Sequence, residues 1–116
     1  MDISIKRVYE DPAKDDGYRI LVDRLWPRGI SKDKAHIEEW LKEIGPSNEL
    51  RKWFGHEPPK FPEFRKRYAT ELKTQAVLLD HIRSMAKKQH VCLVYSAHDE
   101  EHNQAVVLRE VLMNKH

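Results

Sequence analysis

Two stretches hold most of the side chains that could do chemistry. The first, Ser96-Ala97-His98-Asp99-Glu100-Glu101-His102-Asn103, gathers a hydroxyl, two imidazoles, three carboxylates and a carboxamide. An imidazole titrates near neutrality, so His98 or His102 is the best general acid or base, with Asp23 or Asp99 orienting the ring. The plainer reading is structural: acidic residues suit a helix N-terminus, and Asp99 or Asn103 then serves as a cap. His98 and His102 are four apart, which invites comparison with the zinc motif H-E-x-x-H. That motif needs Glu where Asp99 stands and a third ligand, for which Asp23, His36 and His56 are unforced candidates, so no metal is assigned.

The second stretch is Asp23-Arg24-Leu25-Trp26-Pro27-Arg28-Gly29. Arg24 and Arg28 offer paired N–H donors of the kind a carboxylate or phosphate accepts. Ser96 and Asn103 complete the candidate ligand-binding set. The competing expectation is that the two arginines neutralise the acidic run 99–101 across a cleft while Trp26 is core. Elsewhere Arg65-Lys66-Arg67 reads as a solvated helix surface, because Phe64 and Tyr68 have core spacing, and nucleic acid is not the expected partner. Cys92 sits in an apolar run and reads as a buried small hydrophobe, and Ser96 lacks the surroundings of a hydrolase triad.

Elements must position these groups. Val91-Cys92-Leu93-Val94-Tyr95 reads as a strand buried on both faces, and Ala105, Leu108 and Leu112 begin a helix soon after it. Residues 3–9 alternate in part, as an edge strand would, and 18–23 form a second strand that Pro27 and Gly29 end near Trp26. Ser31 is expected to cap a helix carrying Ile37, Trp40, Leu41 and Ile44 on one stripe, stopped by Gly45-Pro46. Ser47 caps a short helix with Leu50, Trp53 and Phe54, which Gly55 ends, and 56–60 is an exposed linker. Pro62 opens a third helix with Phe61, Phe64, Tyr68 and Leu72 on one stripe. Ala76, Leu79, Ile82 and Ala86 continue it beyond a bend near Lys73-Thr74. Strand, strand, helices, strand, helix makes a single α/β domain over 1–116, a small mostly parallel sheet with helices packed on it. If the strands are parallel, both loops lie at their C-terminal edge, where such sheets hold ligands.

Composition narrows the classes. The 116 residues carry a formal charge of only +2 with 34% charged residues, which describes neither a polybasic nucleic-acid binder nor an acidic tail. The single cysteine allows no internal disulfide and fits a reducing compartment. With no leader pattern at the start and no apolar run long enough for a bilayer, the expected location is cytoplasmic, with no membrane partner.

Three blocks, 17–32, 49–56 and 95–103, resemble the YeaO-like family of small bacterial proteins, a domain of unknown function, and the resemblance covers nearly the whole chain. It implies a bacterial cytoplasmic protein and supplies no activity, but it adds Arg51-Lys52-Trp53-Phe54-Gly55-His56 as a third candidate wall. A weaker resemblance is to rhodanese-like domains, in which a strand enters an anion-cradling loop. Ser96 stands where their sulfur-carrying cysteine would be, so thiolate chemistry is not implied. The resulting expectation is a polar site between 23–28 and 96–103 for a small anionic molecule, with hydrolysis or group transfer as the reaction class if it is an enzyme. The alternative is a non-catalytic protein- or nucleic-acid-interaction module using the basic helices. No cofactor is assigned, and neither the substrate nor the oligomeric state follows from the sequence.

Overall fold

The computed structural model describes residues 2–114. Its sheet has four parallel strands, β1 (Ile3–Arg7), β2 (Tyr18–Leu21), β3 (Glu39–Trp40) and β4 (Val91–Tyr95), in the spatial order β1-β4-β2-β3. All five residues of β4 are buried, as its unbroken apolar run requires of a central strand. The pleat divides them: Val91, Leu93 and Tyr95 join the larger core, while Cys92 and Val94 join a smaller one on the opposite face. β1 is the expected edge strand, and β2 is interior.

Helices cover the larger core. They are α2 (Asn48–Phe54), α3 (Phe61–Leu72), α4 (Ala76–Lys88) and α5 (Gln104–Met113). Ser47 caps α2 by accepting the Leu50 N–H, and Gly55 ends it in the left-handed conformation. A 3-10 turn at Lys73–Gln75 makes the bend between α3 and α4. Phe61, Phe64, Tyr68 and Leu72 are buried along the α3 stripe, and Arg65, Lys66 and Arg67 are exposed. The segment 56–60 is less open than a linker, since Pro58–Lys60 forms a 3-10 turn whose Lys60 Nζ donates to the Trp53 carbonyl.

The segment 32–44 departs from expectation. It holds one helical turn, α1 (Lys32–Ala35), then β3, then a 3-10 turn at Lys42–Ile44. Ser31 does cap α1, but His36 at φ 51° ends it. The open side of β2 wins the competition for this segment. Its backbone groups need partners, and they find them where the Glu38 N–H donates to the Arg19 carbonyl and the Leu41 N–H to the Leu21 carbonyl. Extended backbone also sends the apolar residues to opposite sides of the sheet. Ile37 and Trp40 pack on the smaller core, with Trp40 edge-on to Trp26 at 5.4 Å, whereas Leu41 and Ile44 face the larger one. The second strand likewise ends earlier than expected, at Leu21, although the Val22 N–H still donates to the Val94 carbonyl.

Two buried charges near the start of β2 satisfy each other. Arg19 Nη1 lies 2.6 Å from Asp16, and Lys6 Nζ lies 3.1 Å from the same carboxylate. Burial pushes the Asp16 carboxyl upward, but the Ala13 amide, Lys6 and Arg19 together hold it below the usual carboxylate range. Among the described residues no helix is long and apolar enough to cross a membrane. Gly17, between this network and β2, has φ +70°, and a Cβ there would stand 2.3 Å from the His90 carbonyl oxygen. Gly17→Ala is expected to cost roughly 2–4 kcal/mol through both strain and collision with backbone, read as a lower midpoint in urea denaturation.

Candidate functional site

Parallel strands deliver the exits of β1, β2 and β4 to one edge of the sheet, and a cleft of about 900 Å³ opens there. Of the residues singled out from the sequence, Asp23, Arg24, Arg28, Ser96, His98, His102 and Asn103 line it. Asp99 is not in the lining.

Asp23 ties the loops together. Its Oδ2 accepts the Ser96 N–H at 3.0 Å, and its Oδ1 accepts the side-chain amide of Gln104 in the first turn of α5. Burial pushes its pKa up, and the bonds from Ser96 and Gln104 only partly offset this. Its hydrogen bonds go to Ser96 and Gln104 and not to an imidazole; the carboxylate beside an imidazole of the cleft is Asp99, at His102.

Asp99 is the organiser of its own loop. Its Oδ1 accepts the N–H groups of Glu101 and His102, and its Oδ2 lies 2.8 Å from His102 Nδ1. The Glu101 amide, followed by the His102 ring, holds this carboxyl below its ordinary value. Asn103 is the cap of α5: its Oδ1 accepts the Val106 N–H, and its Nδ2 donates to the Asp99 carbonyl. Both ends of that carboxamide are therefore engaged in folding the loop. The His102 ring also stands edge-on to Phe61 at 5.1 Å.

The expected neutralisation of Arg24 and Arg28 by the acidic run 99–101 does not form. Arg24 turns to the other wall, where its Nε donates to the Pro46 carbonyl and its Nη2 to the Gly45 carbonyl. Those carbonyls follow the Lys42–Ile44 turn, and a fork of fixed N–H donors pins the chain reversal. Arg28 is exposed, and its carbonyl accepts the Tyr9 hydroxyl. Trp26 is half-buried, packs on the smaller core and donates its Nε1 to the Ile30 carbonyl.

Among the lining residues that sequence reasoning missed is Arg7. Arg7, at the end of β1, donates its Nε to the Ala97 carbonyl and lies over the Tyr9 ring at 5.1 Å. Arg51, Phe54 and His56 come from the 51–56 block that family resemblance had marked as a wall. Arg51 is the informative one. Its Nη2 donates to Asn48, but its Nε is buried without a hydrogen-bond partner. Four guanidiniums, Arg7, Arg24, Arg28 and Arg51, thus line the cleft against one carboxylate, Asp23, a formal excess of three positive charges. Such a cleft attracts anions. Among the described residues no group of three or more His, Cys, Asp or Glu side chains is placed to hold a metal, and His36 does not line the cleft. Cys92 is buried in the smaller core, where burial pushes its thiol pKa up.

Comparison with known proteins gives a family. The model of the inactive DUF488-N3 subclade matches residues 2–116. The uncharacterised protein YeaO of Escherichia coli K12 is 47% identical over 112 residues, which cover 97% of each chain. Uncharacterised proteins of Mycobacterium bovis and of Mycobacterium tuberculosis H37Rv are 41% identical over 110 residues, covering 95% of this chain and 92% of theirs. No solved structure matches. The family is therefore the one its sequence blocks resemble, and the expected likeness to rhodanese-like domains finds no support in these matches.

Asp23→Ala would leave the Ser96 N–H and the Gln104 amide without their acceptor, at an expected cost of about 1–3 kcal/mol. A carboxyl with a raised folded pKa stabilises most when protonated, and that contribution is lost as pH rises from the ordinary carboxylate range through the raised value. The stability gap between wild type and Asp23→Ala is accordingly expected to be larger at pH 4 than at pH 7, measured by urea denaturation at both. A gap that widens toward pH 7 would refute the raised pKa.

Proposed function

This chain belongs to the inactive DUF488-N3 subclade, and from that premise we propose that its cleft binds a small anionic ligand without transforming it. The observation that carries this reading is the convergence of four guanidiniums, Arg7, Arg24, Arg28 and Arg51, on one cleft that holds a single carboxylate, Asp23. Guanidinium donors give an anion charge-assisted hydrogen bonds, roughly twice as strong as neutral ones. Arg24 and Arg28 are the accompanying cations, and Ser96, His98 and His102 are further polar contacts. Asn103 acts through the loop it caps.

A catalytic reading has one specific observation in its favour. The 2.8 Å contact between Asp99 and His102 holds an imidazole as the partner of a general base would. Against it stand the family's description as inactive and the burial of Cys92, the chain's one thiol, away from the cleft. The interaction-module alternative is weakened by pairing within the basic surface: Arg65 meets Glu110 at 3.0 Å, and Arg67 meets Glu63 at 3.1 Å.

The test is Arg51→Met, which keeps the volume of the stem and removes the donor. Calorimetric titration with inorganic phosphate is expected to show at least about a tenfold loss of affinity, the equivalent of 1.4 kcal/mol. Thermal stability should hold or rise, because an unsatisfied buried donor has been removed. Unaltered phosphate affinity with a lower melting temperature would make Arg51 a structural residue and sink the proposal.

A further inference from the structure

The geometry points to a more definite ligand: a phosphomonoester carried on a flat apolar body. This rests on the anion-binding reading above and adds a second set of observations to it. A cleft of about 900 Å³ is far larger than one inorganic ion needs and lies in the range of sites that enclose whole organic molecules. Its walls are also not uniformly polar. Four large hydrophobic side chains remain exposed among the described residues, and two of them, Tyr9 at 45% and Leu25 at 60%, line this cleft. Trp26 lines it too, with its indole N–H already donated to Ile30, so that what remains to offer is ring surface. Exposed apolar groups gathered at one concavity mark a surface that a partner covers.

The cationic groups set the other half of the ligand. Arg51 and the buried Asp23 both line the cleft. Arg28 is exposed near Tyr9, whose hydroxyl holds the Arg28 carbonyl. An excess of three guanidinium charges exceeds what a monovalent carboxylate neutralises. A phosphomonoester carries close to two negative charges at neutral pH and has three acceptor oxygens. Its head would accept from Arg51, and its body would lie against Tyr9, Leu25 and Trp26. Aromatic bodies suit these partners best, because Tyr9 and Trp26, although already met by Arg7 and Trp40, keep ring surface against which a flat body can stack or set an edge.

Calorimetric titration of the full chain at pH 7.5 with phenyl phosphate, inorganic phosphate and benzoate separates the parts of the inference. Phenyl phosphate is expected to bind at least about tenfold more tightly than either of the others. Leu25→Ser, at an exposed position that does not threaten the fold, is expected to narrow the ratio between phenyl phosphate and inorganic phosphate. If both phosphates bind equally, the apolar body is refuted while the anion reading stands. If benzoate matches phenyl phosphate, the phosphate head is refuted. If none of the three binds, the anion reading itself fails.

Discussion

The arrangement of the cleft depends on one buried carboxylate. Parallel pairing of β2 with β4 brings two chain exits to the same edge, but strand pairing fixes strands and leaves the loops beyond them free. Asp23 converts nearness into geometry by accepting from Ser96 after β4 and from Gln104 in α5. The raised pKa records the desolvation that this position costs. Because α5 starts at the same anchor, the Asn103 cap and the Asp99–His102 contact inherit their places from it.

Strands and helices were legible in the sequence where burial left no competitor. The β4 run was long enough and apolar enough to admit only a central strand, and the caps at Ser47, Gly55 and Asn103 act as side-chain chemistry says they should. Segment 32–44 was not legible for a definite reason. Apolar residues at 37, 40, 41 and 44 satisfy a helical stripe, but they equally satisfy a short strand and a turn whose residues face two cores. Local pattern cannot arbitrate between these. The deciding term is the row of unpaired backbone groups along β2, a tertiary fact that periodicity does not contain.

The site shows the same division between what spacing reveals and what packing decides. Both loops could be placed because the rule for α/β sheets needs only strand order. The partners of Arg24 could not, since opposite charges in the sequence are poor guides when backbone carbonyls compete. A guanidinium offers five donors in a fixed fork, and the carbonyls of Gly45 and Pro46 accept two of them with no need for a carboxylate. Arg51 is a harder case. Its distinguishing feature is an unmet hydrogen bond, which has no sequence signature, and only the surrounding 51–56 block drew attention to it.

Binding and catalysis make different demands on the same wall. Catalysis needs groups that change protonation state or stabilise charge that develops only in the transition state. Holding a ligand needs fixed charge and shape matched to its ground state. Guanidiniums cannot give up a proton in a protein, so the four that line the cleft are fixed charges and not proton-transfer groups. Of the three imidazoles that line the cleft, His56, His98 and His102, it is His102 that meets a carboxylate, and it is also packed edge-on to Phe61, so its ring is held on two sides. On the proposed binding reading, a cleft furnished in this way has a use for its charge without chemistry. That is how a family described as inactive and a strongly cationic site can belong to the same protein.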